Sequence, residues 1–103
     1  MKPKGRKGGT MAQINVSVTG ASRSASLTWD GTLGSLTSNG GGSFSAAFPA
    51  AAGDHTYAIV VFGSPADPWT AKVTDGTTTH NHAGHMSPAG FDTTGDTPFR
   101  VTG

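Results

Sequence analysis

The chain has 103 residues, a formal net charge of +1, and neither cysteine nor glutamate. This length corresponds to one domain, and the lack of cysteine excludes disulfides and cysteine-ligated zinc sites. Abundant Gly, Ser and Thr with little charge favour strands and turns over helices or intrinsic disorder.

The first ten residues carry four basic side chains and no apolar residue after Met1. We predict a disordered basic tail over residues 1–11 and a single β-domain over residues 12–103. The rest of the chain has three basic residues and six Asp, so its acidic body is not expected to bind nucleic acid. No stretch approaches the roughly 20 apolar residues of a membrane span, and no signal-peptide core is present. We expect a cytoplasmic location or non-classical export.

The first half of the domain shows apolar residues at every second position. Ile14, Val16 and Val18 alternate with polar residues, which predicts a half-buried strand. Residues 26–29 alternate again, and the Asp30-Gly31 pair that follows is typical of a two-residue hairpin turn. The next predicted strands are residues 32–37 and 44–48, with a glycine-rich turn at 38–42 between them.

The second half contains the strongest strand signal, from His55 to Phe62. This segment is apolar on both faces from residue 58, so we predict a central strand. A second turn signal, Asp75-Gly76, follows the alternation that begins at Trp69. The other predicted elements are a loop at 63–68, a strand at 69–73, a polar edge strand at 77–82, an irregular loop at 83–96 and a last strand at 97–102.

About seven short strands with no significant helix predict a small antiparallel β-sandwich. Ser26-Leu27-Thr28-Trp29-Asp30 is similar to the second strand of fibronectin type III modules, in which a Trp enters the core. The segment from Phe48 to Val61 resembles the turn into the sixth strand of that family. There a Tyr hydroxyl bonds back to the preceding turn, and Tyr57 would hold that place. The resemblance implies an immunoglobulin-like sandwich used for recognition or as a spacer.

Three histidines lie close together in the sequence, at His80, His82 and His85. Residues two apart in a strand point to the same face, so His80 and His82 can chelate one metal, and a turn at Gly84 can bring in His85. Three imidazoles with an open position suit zinc, copper or nickel. The alternative is three solvated histidines without a shared partner.

The aromatic residues Trp29, Tyr57 and Trp69 allow two interpretations. They can form a flat platform for sugar rings, or they can fill the core of the sandwich, which we favour because aromatics dominate such cores. Trp69 follows a Pro-rich loop, so we expect it to be the most exposed of the three. We place the candidate ligand site where residues 80–96 meet the loop at 63–68, with Trp69 and the three clustered histidines as its binding residues.

No catalytic motif occurs in the chain, so we predict that the protein is not an enzyme. The first hypothesis is a non-enzymatic binding or structural module, exposed at a surface, that recognises a glycan or a protein. The second is a small metal-binding protein that uses His80, His82 and His85. The third is a subunit of a larger surface or phage-type assembly, paired through an edge strand.

Overall fold

The structure is a computed structural model that describes residues 11–34 and 36–101. These residues form strands joined by turns, with no helix among them. The ten strands are β1 (Met11–Thr19), β2 (Ser24–Trp29), β3 (Thr32–Gly34), β4 (Thr37–Gly40), β5 (Ser43–Ala51), β6 (Gly53–Phe62), β7 (Pro68–Thr74), β8 (Thr79–His85), β9 (Phe91–Thr93) and β10 (Thr97–Val101).

Two antiparallel five-stranded sheets face each other, which confirms the predicted all-β sandwich. The first sheet has the order β4-β5-β1-β7-β8. The second has the order β10-β6-β2-β3, and β9 pairs with β6 beyond the end of β10. Strand β6 therefore has neighbours on both sides, as predicted for a central strand, and β8 is an edge, as predicted for the polar histidine-bearing segment.

The core forms where the alternating residues of the two sheets meet. Ile14, Val16 and Val18 of β1 are buried, and their polar neighbours are exposed. In β6, the inward residues from Tyr57 onward are buried as fully as those of β1. Phe99 of β10 is also buried and belongs to this core. Burial of these side chains is the main favourable term that holds the two sheets together.

Both predicted hairpins form. Asp30 and Gly31 have φ angles of 52° and 81°, as a two-residue turn of type I′ requires. The second hairpin has a longer loop over residues 75–78, because the Asp75 side chain organises it. Its Oδ1 accepts hydrogen bonds from the backbone N–H groups of Thr77 and Thr78, at 2.8 and 2.6 Å.

The short strands account for the difference between the ten observed strands and the seven or so predicted. Of the predicted return strand at 32–37, Thr32–Gly34 forms β3, whereas β4 (Thr37–Gly40) lies mostly in the segment predicted as a glycine-rich turn at 38–42. The segment 83–96, predicted to be irregular, contains the end of β8 and all of β9. Met11, assigned to the tail, is the first residue of β1, whereas residues 1–10 lie outside the described residues.

None of the described segments is an apolar helix of membrane-spanning length.

Candidate functional site

The structure separates the three clustered histidines. His80 and His82 lie on the inner face of β8 and are half-buried, whereas His85 lies on the outer face and is exposed. The predicted turn at Gly84 does not form, because β8 continues to the pairing of His85 with Pro68. Within residues 11–34 and 36–101, no three His, Cys, Asp or Glu side chains are placed to hold a metal. The structure therefore does not bring all three imidazoles together.

His80 and His82 instead meet the hydroxyl of Tyr57, which reaches them from the opposite sheet. The Tyr57 Oη lies 2.6 Å from Nε2 of His82 and 3.2 Å from Nδ1 of His80. These contacts differ from the bond to the preceding turn that the fibronectin resemblance implies. The tyrosine here links β6 to β8 and so ties the edge of the first sheet to the second.

Burial favours the neutral forms of Tyr57 and His82. Removal from water raises the pKa of Tyr57 to about 12. It also lowers the pKa of His82, and the nearby His80 adds to that effect. A neutral phenol has one proton to donate, and the shorter contact indicates that His82 Nε2 accepts it. His80 Nδ1 must then donate to the same oxygen, which fixes the tautomers of both rings.

Trp69 is buried, with 4% of its surface exposed. The expectation that it is the most exposed of the three aromatics is therefore wrong. Its indole Nε1 donates to Oδ2 of Asp92 at 2.8 Å, which satisfies the polar end of a side chain that otherwise fills the core. Tyr57 is buried as well and Trp29 is half-buried, so the three aromatics form no flat exposed platform.

The loops at 63–68 and 83–96 do meet, as expected for the predicted site. The Ala66 N–H donates to the Met86 carbonyl, and the Met86 N–H donates to the Asp67 carbonyl, both at 2.9 Å. The Gly63 N–H donates to the Gly90 carbonyl at 2.9 Å. Backbone bonds and the buried Met86 side chain therefore join the two loops to each other.

A groove on the other side of the sandwich was not predicted. Strand β3 has only three residues, so the second sheet does not cover the inner face of β5, where Phe44, Ala46 and Phe48 are only half-buried. The resulting cavity has a volume of about 630 Å³, within the usual range of ligand sites. Its apolar lining includes Leu27, Trp29, Leu33, Gly34, Ala46 and Phe48, and its polar lining is Asp30, Thr32 and Thr37.

Trp29 forms the inner wall of the groove. Its ring stacks on Tyr57 with an interplanar angle of 8° at 6.1 Å, and Phe48 packs edge-on at 5.1 Å. His55 lies 5.1 Å from the indole centroid, within the range of a cation–π contact. These contacts fix the Trp29 ring while leaving it half-buried at the groove.

An ion pair fixes one end of the groove. The Asp30 carboxylate accepts from the Thr56 N–H at 3.0 Å and lies 2.6 Å from His55 Nδ1. The second nitrogen of His55 donates to the Ala51 carbonyl at 2.7 Å. Both partners of the imidazole are acceptors, so the ring needs both protons. Its hydrogen bond to Asp30 raises the pKa of His55, and the same bond lowers the pKa of Asp30.

No known protein family, curated protein or solved structure matches this chain. The resemblance to fibronectin type III modules therefore stays a prediction, and the function has to be argued from the sites themselves.

Two signals in the sequence point to the groove in retrospect. Gly34 interrupts a strand that would otherwise continue from the Asp30-Gly31 turn, and glycine weakens strands. The alternating residues 44–48 predict an apolar face on β5. Whether β3 covers this face depends on how the two sheets pack against each other. No local sequence pattern carries that information.

Proposed function

We propose that this protein is a non-enzymatic recognition module that binds an extended polypeptide segment along β3, over the groove. The observation that carries the proposal is an edge strand without a further strand partner in the described chain, directly beside an apolar cavity of about 630 Å³. An edge strand offers backbone donors and acceptors to an incoming strand, and adjacent pockets receive its alternate side chains.

The pairing of β3 with β2 supports this geometry. Gly34 is opposite Leu27, and Thr32 is opposite Trp29. Directly opposed residues point to the same face of a sheet, so both β3 residues point into the groove. Glycine adds no side chain there, which leaves room beside β3 for the side chains of a bound strand.

The polar groups at the groove favour a polypeptide over a sugar or a small polar ligand. Both oxygens of Asp30 are engaged, one by the Thr56 N–H and the other by His55. Tyr57 and Trp69 are buried, and the Trp29 ring at the groove is already packed against Tyr57 and Phe48. The backbone edge of β3 offers a ligand a row of hydrogen-bond donors and acceptors, and an extended polypeptide is complementary to it.

The test uses the Gly34→Val variant, which fills the groove from within. A Cβ at this position meets only Leu27 atoms, at 3.7 Å, which is ordinary van der Waals contact, so the fold is expected to stay intact. The matched control is Ser24→Val, which adds a similar branched side chain to an exposed position of the same sheet. Circular dichroism of both variants verifies that the sandwich is retained.

Random peptides displayed on phage are selected against the wild-type protein. We expect enrichment of sequences with apolar residues at alternate positions, and weaker binding of the selected peptides to Gly34→Val by more than about tenfold, or 1.4 kcal/mol. Ser24→Val should bind as the wild type does. Selected peptides that bind both variants equally, or a selection without enrichment, would contradict the proposal.

A further inference from the structure

Three potential metal ligands converge where Tyr57 of β6 meets the edge strand β8, and none of them lines the groove. The Tyr57 oxygen lies 2.6 Å from His82 Nε2 and 3.2 Å from His80 Nδ1. Zinc–nitrogen bonds measure about 2.0–2.1 Å, so two donor atoms on one ion are roughly 2.9–3.4 Å apart. Both separations from the Tyr57 oxygen to the imidazole nitrogens are within a few tenths of an ångström of that range.

We propose that His80, His82 and Tyr57 bind one divalent first-row transition-metal ion, with Cu²⁺ held more tightly than Zn²⁺. The site does not depend on the proposed function of the groove. His85 is not part of it, because that side chain lies on the outer face of β8. The third ligand is instead a tyrosine from the opposite sheet.

The positions of the three residues suit such a site. The two histidines are two residues apart on one strand, and β6 supplies Tyr57 from across the sandwich. The tyrosine and His80 are both held by the ring of Phe99, with centroids 6.0 and 4.7 Å away. Strand β8 is the edge of its sheet, so an ion can enter from that side and complete its coordination with water.

Metal binding rearranges the protons of the cluster in a balanced way. The ion takes the lone pairs of His82 Nε2 and His80 Nδ1, so His80 carries its proton on Nε2 instead. The Tyr57 oxygen becomes the third ligand and its proton is released to solvent. Each bound ion therefore displaces one proton. The order of affinity follows the general preference of nitrogen and oxygen ligands for copper over zinc.

The first experiment is a titration of the isotope-labelled full chain with zinc chloride, followed by NMR. We expect saturation at one ion per chain, with shifts of the imidazole signals of His80 and His82. The ring signals of His85, which is exposed, and of His55, whose nitrogens are both engaged, should stay in place. Shifts confined to other residues, or the lack of a saturable change, would overturn the proposal without any variant.

Variants then assign the ligands. His82→Gln should weaken zinc binding by more than about tenfold, since even the loss of outer-shell partners costs that much, and His85→Gln should leave it unchanged. With copper chloride, the wild type should show a visible phenolate-to-copper absorption band that Tyr57→Phe lacks. Equal affinity of His82→Gln and the wild type for zinc would overturn the site, and a band that persists in Tyr57→Phe would exclude the tyrosine as ligand.

Discussion

At the residue scale, the pKa values of His55 and His82 are shifted in opposite directions. His55 lies between two acceptors, the Asp30 carboxylate and the Ala51 carbonyl, and Asp54 adds a further negative charge nearby. These partners raise its pKa, whereas burial lowers the pKa of His82. One imidazole is therefore stabilised as a cation and the other as a neutral ring.

The His55–Asp30 pair predicts a loss of stability as pH rises through the raised pKa of His55. A histidine in the unfolded chain has a pKa of about 6.5, so the pair contributes fully below that pH and its contribution disappears as pH rises through the raised pKa of His55. The lowered pKa of Asp30 preserves the contribution down to the acid range. Because Asp30 is 46% exposed, we expect an effect on the order of 0.5–1 kcal/mol.

The measurement is urea unfolding of the wild type and His55→Gln at pH 5.5 and pH 8. The free-energy difference between the two proteins should be larger at pH 5.5 than at pH 8. His82→Gln should behave in the opposite way, because the contribution of a histidine with a lowered pKa is present above pH 6.5 and lost as pH falls. An equal difference at both pH values for His55→Gln would contradict the assignment of a charged ring.

At the element scale, two glycines in edge strands have different surroundings. A Cβ on Gly84 of β8 would lie 2.5 Å from Asp92 Oδ2 and 3.0 Å from Trp69 Nε1, the two atoms of the hydrogen bond between the sheets. A Cβ on Gly34 of β3 meets only ordinary contacts. Gly84 is thus required for a polar link between sheets, and Gly34 only leaves space.

The pair of variants Gly84→Ala and Gly34→Ala tests this difference. Gly84→Ala should destabilise the protein by about 1–3 kcal/mol, because the Asp92 carboxylate has to move and leaves a buried indole N–H without its acceptor. Gly34→Ala should be neutral or stabilising by up to about 1 kcal/mol, since alanine restricts the unfolded chain. Thermal and urea unfolding measure both, and equal effects of the two variants would refute the explanation.

Strands with an apolar pattern, and the polar strand β8 that follows the Asp75-Gly76 turn, could be predicted from sequence, whereas β4 and β9 could not. β1 and β7 place apolar residues on one face, β6 is apolar on both faces from residue 58, and these signals predict all three strands. Both Asp-Gly turns are predicted as well. β4 consists of exposed polar residues and β9 has only three residues, so neither has a periodic signal. They form because neighbouring strands, β5 and β6, supply their hydrogen-bond partners.

At the scale of the whole molecule, the sites depend on how the sheets face each other. The sequence correctly indicates that His80 and His82 share a face of β8. It contains no local sign that Tyr57 lies opposite them, or that Asp92 bonds to Trp69 and so allows its burial. The groove likewise arises from the unequal extent of two sheets rather than from any motif.

The measurement that tests the central claim most directly is amide hydrogen exchange by NMR, with and without a selected peptide. A peptide strand added beside β3 would form hydrogen bonds to the N–H groups of β3 that point away from β2. We therefore expect amide exchange within Thr32–Gly34 to slow by more than about tenfold in the complex, together with a shift of the Trp29 indole signal. Protection confined to β4, β8 or the outer faces, with β3 unchanged, would contradict the account.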